Sequence, residues 1–351
     1  MTARLGERSS PQFRRRRPVD VSGHLTVKII SPRRLGRSVD DSTQALDQAI
    51  PTMAGGEDAL KVFEAQRMAS TEHFLFRGDA RDLSYLPSES IHLVVTSPPY
   101  WTLKEYNRHP AQLGYVQDYE DFLDELDKAW RECYRVLVPG GRLVCVVGDV
   151  CLPRRRVGRH VVMPLHSDIA VRCRKIGFDN LTPILWYKIA NASYEVENGS
   201  KFFGKPYEPN AIVKNDIEFI LMQRKAGGYR KPTPEQRRLS IIPKKVYDEW
   251  FQQIWHIGGE STTRHPAPFP IELAIRLVRM FSFYGDSVLD PFAGTGTTMV
   301  AALEAGRNSV GIEVDPEYHE MARKRVESHS KTLFRHCKFH AGEAPAPRAA
   351  R

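Results

Sequence analysis

Residues 287–298 read SVLDPFAGTGTT. A short apolar run, SVLD, enters a turn with two glycines, and the turn opens a helix-forming stretch, TTMVAALEAG. A glycine-rich turn between a strand and a helix lets backbone N–H groups approach a ligand closely. The turn is not G-x-G-x-x-G, because the position three after Gly296 is Met299, and no Gly-Lys-Ser/Thr of a P-loop occurs. Both absences argue against a dinucleotide or a triphosphate. The next strand candidate, SVGIE at 309–313, ends at Glu313, 19 residues past Gly294. An acid so placed can take both hydroxyls of a ribose. The site therefore suits a nucleoside without a pyrophosphate, and S-adenosylmethionine is the obvious candidate. The residues expected to hold it here are Asp290, Phe292, Gly294, Thr295, Gly296, Thr297 and Glu313.

Working outward, strand candidates fall at 91–96 (IHLVVT), 142–147 (RLVCVV), 181–187 (LTPILWY) and 217–222 (IEFILM). Several are continuous apolar runs, as expected of strands covered on both faces. Between them, Tyr119, Phe122, Leu123, Leu126, Trp130, Cys133 and Leu137 recur at helical spacing, and PGG at 139–141 stops that run. Further helices are predicted over 164–176, closed by Gly177, and over 270–283. Alternation of this kind predicts an α/β fold: a mostly parallel sheet with helices on both faces.

The 351 residues are 41% hydrophobic and 26% charged, which suits a soluble globular chain. No apolar run is long enough to span a membrane. The arginine-rich start is no secretory signal, because no apolar segment follows it. The five cysteines, none in C-x-x-C spacing, suggest neither a metal site nor a redox pair, and read as reduced thiols of a cytoplasmic protein. The net charge of +9 resides in the ends: residues 1–37 carry +8 and residues 330–351 carry +4, which leaves −3 on the middle. Residues 1–70 are expected to form a basic, largely disordered arm with short helices at most, for example over 57–69. The end, 329–351, is expected to be a disordered tail. Because every motif lies after Met53 and Met68, either methionine is a candidate start of translation, which intact mass would decide.

A second turn carries the chemistry. TSPPYW, 96–101, ends the strand IHLVV with two prolines and places Tyr100 and Trp101 at its exposed tip. Proline cannot donate to a sheet ladder, so the strand stops abruptly. Ligands of open α/β sheets bind beyond the carboxyl ends of strands, so this turn and the glycine turn can share one cleft. With Pro99 next in sequence, the carbonyl of Pro98 and the hydroxyl of Ser97 are free to face outward. Two acceptors beside an aromatic ring suit the exocyclic amino group of a flat base, with Tyr100 stacked on the ring. Hydrogen bonds to Ser97 and Pro98 would localise the amino lone pair for in-line attack on a sulfonium methyl. No covalent intermediate is needed, and the chain has no Pro-Cys dipeptide, the nucleophile motif for methylating a ring carbon of cytosine.

In that order, TSPPYW and DPFAGTGTT resemble the DNA amino-methyltransferases in their permuted β arrangement. The resemblance covers roughly 72–328 and extends to RGDARD (77–82), GGRLVCVVGD (140–149) and HPAPFPIELAIRLV (265–278). It implies a Rossmann-like S-adenosylmethionine-dependent methyltransferase domain over 71–328. It implies that Ser97, Pro98, Pro99 and Tyr100 are catalytic, that Asp79 lies near the cofactor adenine, and that His265 stands on the cofactor side. Ser-Pro-Pro-Tyr in this family goes mostly with cytosine N4 and Asp-Pro-Pro-Tyr mostly with adenine N6. The expected activity is therefore site-specific N4 methylation of cytosine in double-stranded DNA by base flipping. Adenine N6 methylation, RNA methylation and a catalytically retired DNA-binding protein are the alternatives.

A basic, hydrogen-bonding surface must read the DNA. The segment 224–245 holds eight Lys/Arg against Glu235, and 224–255 is predicted to be the core of a small target-recognition insert. Arg230, Lys231, Arg237 and Arg238 are its candidate phosphate contacts, joined by Arg154, Arg155 and Arg156 on the rim, with 190–213 as a helper loop. Neutralising the first four should weaken DNA binding and flatten its salt dependence. The stretch 101–115 is a candidate lid. No metal site is expected. The family leaves open a cognate restriction endonuclease as partner, and a monomer or a homodimer.

Overall fold

The structure is a computed structural model; it describes residues 40–103, 112–152, 157–188, 209, 213, 215–259, 269–331 and 337–345. Arg154, Arg155, Arg156 and His265 lie outside these residues, as do most of the candidate lid and helper loop.

The core is a nine-stranded sheet. In chain order the strands are β1 (Thr71–Arg77), β2 (Ile91–Thr96), β3 (Leu137–Val147), β6 (Phe178–Tyr187), β7 (Ile217–Lys225), β8 (Ile254–His256), β9 (Ser287–Asp290), β10 (Asn308–Glu313) and β11 (Cys337–Glu343). The remaining two, β4 (Val150–Leu152) and β5 (Val161–Met163), form a separate antiparallel pair. Across the large sheet the order is β11-β1-β10-β9-β2-β3-β7-β6-β8. Every neighbouring pair is parallel except those made by β7, which runs antiparallel to both β3 and β6. The mixed α/β class and the mostly parallel sheet match the sequence reading.

Alternation explains why both faces are covered. On β3, Leu143, Cys145 and Val147 pack into one apolar cluster, and Val144 and Val146 into another. The first cluster is closed by α3 (Tyr119–Val136), whose Phe122, Leu126, Trp130 and Cys133 are fully buried, and by α4 (Leu165–Ile176). Two short helices, α5 (Pro234–Leu239) and α6 (Lys244–Trp250), lie between β7 and β8. The second cluster is closed by α7 (Ile271–Phe281) and α8 (Thr297–Glu304). A last helix, α9 (Pro316–Ser330), packs beside α8 through Ala322 and Val326. The helix before PGG stops one residue earlier than its apolar pattern suggests: Leu137 is already extended and begins β3.

Parts of both ends expected to be disordered are ordered instead. Residues 40–68 form α1 (Asp40–Gly55), α2 (Asp58–Ala65) and a short 3-10 turn (Gln66–Met68). Leu46, Ala59, Phe63 and Gln66 are buried. The fully buried Arg307 donates to Gln66 Oε1 at 2.6 Å, and Arg279 lies 3.8 Å over the Phe63 ring. A chain beginning at Met68 would lack all of these contacts. In the expected tail, β11 pairs with the whole of β1 from Thr71↔Cys337 to Arg77↔Glu343. Its sequence, CKFHAGE, is too polar for an apolar-run search, because an edge strand is covered less than a central one.

Candidate active site

Four adjacent strands, β1, β10, β9 and β2, end side by side, and the loops that follow them build one cleft. It is lined by Gly78 and Asp79 after β1, Ser97, Pro98 and Pro99 after β2, Pro291, Phe292 and Gly294 after β9, and Glu313 and Val314 at the end of β10. Gln112, Leu113 and Tyr318 of α9 complete the wall. The two turns singled out in the sequence, 194 residues apart, are tied together where their strands end: Thr96 Oγ1 donates to Asp290 Oδ1 at 2.7 Å.

Glu313 is 8% exposed and holds the cleft floor. Its carboxylate accepts from Gly294 N at 2.7 Å and from Asp315 N at 2.9 Å. Those two bonds favour the ionised form, but burial outweighs them and pushes the carboxyl up to about 7. Each oxygen keeps a second lone pair for a ligand hydroxyl. Asp79 follows β1, the neighbour of β10, with Arg81 bonded to both of its oxygens at 2.6–3.0 Å and Arg81 held in turn by Glu125. Phe292 is backed by Trp130, ring centroids 6.1 Å apart.

Other expected cofactor residues support the turn from behind. Asp290 is 2% exposed, accepts from Thr96 and from Phe292 N, and is pushed up to about 6 by burial. Thr295 and Thr297 present their hydroxyls to Arg325 Nη1 at 3.3 and 2.9 Å. Gly296 adopts φ +79° as it enters α8, and a Cβ there would lie 3.2 Å from Ala322, so this glycine serves helix packing. Of the seven residues read from the turn and its following acid, Phe292, Gly294 and Glu313 face the cleft.

The aromatics of TSPPYW are not at an exposed tip. Tyr100 is 6% exposed and packs in the cluster under α3. Trp101, with φ +45°, donates to Val116 O at 2.9 Å and meets Tyr119 edge-on at 5.1 Å. Ser97 and Pro98 do reach the cleft.

The basic segment needs a larger correction. It returns to the opposite end of the sheet from the cleft. Arg230 forms a bidentate ion pair with Asp286, which is 1% exposed and directly precedes β9. Arg237 pairs with Asp47 of α1. Gly227 and Gly228 crowd Pro139 and Gly140 at the start of β3. Lys231 and Arg238 belong to the same stretch. The charge count detected a basic segment but could not see that two of its arginines are consumed by buried or nearby acids.

Gly78 lies in RGDARD, and Gln112 and Leu113 in the candidate lid 101–115, though none was named as a site residue; Tyr318 was missed altogether. Tyr318 could have been found, because Asp315 caps the helix that begins shortly after Glu313 and so brings that helix to the cleft.

The DNA methylase model of N6 and N4 methyltransferases matches residues 91–324. The chain belongs to the DNA methylase family. The type II methyltransferase M.MjaI of Methanocaldococcus jannaschii is 38% identical to this methylase over 286 residues, 73% of this chain and 92% of the relative. The DNA adenine methyltransferase YhdJ of Escherichia coli (strain K12) is 28% identical, over 75% of this chain and 86% of that one. Among solved structures, the DNA modification methylase TTHA0409 of Thermus thermophilus, complexed with S-adenosyl-L-methionine, is 52% identical with a TM-score of 0.64, covering 78% of this chain and 99% of that one. Among the described residues of this methylase, no helix is long and apolar enough to cross a membrane and no metal-binding cluster occurs.

Proposed function

We propose that this DNA methyltransferase moves a methyl group from S-adenosylmethionine to N4 of a cytosine flipped out of double-stranded DNA. The observation that carries the reading is the shared cleft: Ser97 and Pro98 stand in one pocket with Glu313, Asp79 and Phe292.

The donor set fits the cofactor. Glu313 would take ribose hydroxyls, the backbone at Gly78 and Gly294 leaves room for close approach, and Phe292, Leu113 and Ile312 offer apolar walls to a flat base. Bound there, S-adenosylmethionine supplies an electrophilic methyl group. The chain's own residues do the rest. Ser97 Oγ and the Pro98 carbonyl accept the two amino hydrogens of the flipped base and turn its nitrogen lone pair toward the cofactor side. Orientation of this kind supplies several kcal/mol of a barrier. Asp290 and Thr96 tie the two turns together where their strands end.

Serine at position 97 favours cytosine by resemblance. Adenine N6 is a second reading, favoured by the 28% identity to an adenine methyltransferase. The deciding experiment gives the protein mixed-sequence duplex and methyl-labelled S-adenosylmethionine, then identifies the labelled nucleoside by mass spectrometry. N4-methylcytosine is expected; N6-methyladenine would keep the cleft assignment and overturn the base. Label on RNA alone would move the substrate class.

A further inference from the structure

We infer that Lys188, held by Glu218, is the residue that reads the ring edge of the flipped base. The inference deepens the proposed amino-methylation and rests on it.

Sheet order places the base. The cofactor-side residues belong to β1, β10 and β9, and Ser97 follows β2. In-line displacement puts the attacking nitrogen on the far side of the methyl group from its leaving sulfur. A base bonded to Ser97 and Pro98 must therefore lie over the strands on the other side of β2, which are β3, β7 and β6.

Charged groups stand at those ends. Lys188 follows β6 and pairs with Glu218 of β7, with side chains only 15% and 16% exposed. Lys188 Nζ also lies 4.4 Å over the ring of the fully buried Trp186. Glu218 is next to the catalytic turn: a Cβ on Gly148 would lie 3.2 Å from Glu218 Cγ and 3.3 Å from Tyr100 Cε1. The floor is braced. Phe219 is stacked under His166 with centroids 3.6 Å apart, and His166 Nδ1 lies 2.6 Å from Asp149 Oδ1. A plain cross-strand ion pair is cheapest when exposed, whereas holding two charges at this burial costs desolvation.

The chemistry is complementary. The two amino hydrogens are taken by Ser97 and Pro98, so the rest of the cytosine edge, N3 and O2, offers only acceptors. An ammonium offers only donors. One N–H of Lys188 goes to Glu218, and the others remain for the base. Glu218, an acceptor, fixes the direction of the ammonium and does not itself meet the ring.

The test uses the full chain with Lys188→Met, Lys188→Arg and Glu218→Gln. Lys188→Met should lower kcat/KM on mixed-sequence duplex by about 10- to 100-fold, as for one specific base contact. Cofactor affinity and the salt slope of duplex binding should stay at the parent values, while the melting temperature should fall because Glu218 loses its partner, so the rates are compared well below it. Lys188→Arg should recover part of the rate, and Glu218→Gln should lose less than Lys188→Met. A salt slope reduced by about one would make Lys188 a phosphate contact and overturn the inference. Parent-like kcat/KM in Lys188→Met would overturn it too, as would lower cofactor affinity in step with the rate. If the parent protein labels no base, the amino-methylation reading fails and the pair loses its substrate. Label in the parent with no effect of Lys188→Met sinks the pair alone.

Discussion

Glu313 shows how burial and ligand compete at a single residue. Its carboxyl is pushed up to about 7 by burial, despite two backbone donors. A folded value above the unfolded one means that the native state binds more protons between roughly pH 4.5 and 7. The stability contributed by this group is complete below the unfolded value and is lost as pH rises through 7. Cofactor binding runs the other way, because ribose hydroxyls donate to the ionised carboxylate and draw its proton off. Affinity for S-adenosylmethionine should therefore rise between roughly pH 6 and 8, with proton release visible by calorimetry in buffers of different ionisation enthalpy. A flat affinity with no proton release would remove Glu313 from the ribose site. Glu313→Gln should weaken cofactor binding about 10- to 100-fold, the value of a hydrogen bond to a charged group, and abolish the pH dependence. Ser97→Ala should instead lower the methylation rate with cofactor affinity unchanged, since the lost acceptor faces the base. Glu313, Gly294 and Ser97 were legible in sequence because their chemistry is local to a turn. Lys188 and Glu218 were not, because only the order of strands pairs two residues 30 positions apart and brings Glu218 near Tyr100 across Gly148.

At the level of elements, net charge along the chain proved a poor guide to surface. Within 224–245, Arg230 is spent on Asp286 and Arg237 on Asp47, and this part of the chain lies at the sheet end away from the cleft. Arg230→Ala should therefore act on stability: removing one partner of a pair whose carboxylate is 1% exposed costs about 3–5 kcal/mol. Thermal melting should record the loss, and the salt slope of duplex binding should not change. A reduced slope with an unchanged melting temperature would return Arg230 to the DNA. The strands and helices that sequence periodicity located are those with a full apolar face, such as α3 and β3. α2 falls within the short helix expected over 57–69, whereas α1 escaped; what the sequence did not show is how this segment is held, through contacts at long sequence range, Phe63 with Arg279 and, just beyond α2, Gln66 with Arg307.

Taken whole, the sheet divides at β2, under the proposed function, into a half that would carry the cofactor and a half that would face the base, and the Thr96–Asp290 bond joins the ends of β2 and β9. The cofactor half is closed at its outer edge by β11, which covers β1 along its full length. Just beyond it, Ala344 N donates to Arg77 O at 2.9 Å, and Gly78 N donates to Glu313 O at 3.0 Å. A Cβ on Gly78 would lie 2.8 Å from the Ala344 Cβ, so the residue that follows this last strand packs closely on the loop that carries Asp79. Removing β11 by ending the chain before Cys337 would leave β1 an open edge and remove that packing. Cofactor affinity should then fall, with the melting temperature, while duplex binding in the absence of cofactor stays near that of the full chain, because the residues facing the base hang from β3, β7 and β6. Titration of both ligands against the shortened chain separates the halves. If cofactor affinity survives intact, β11 protects an edge and nothing more. If duplex binding falls in parallel, the two halves are one cooperative unit and the division at β2 has no energetic meaning.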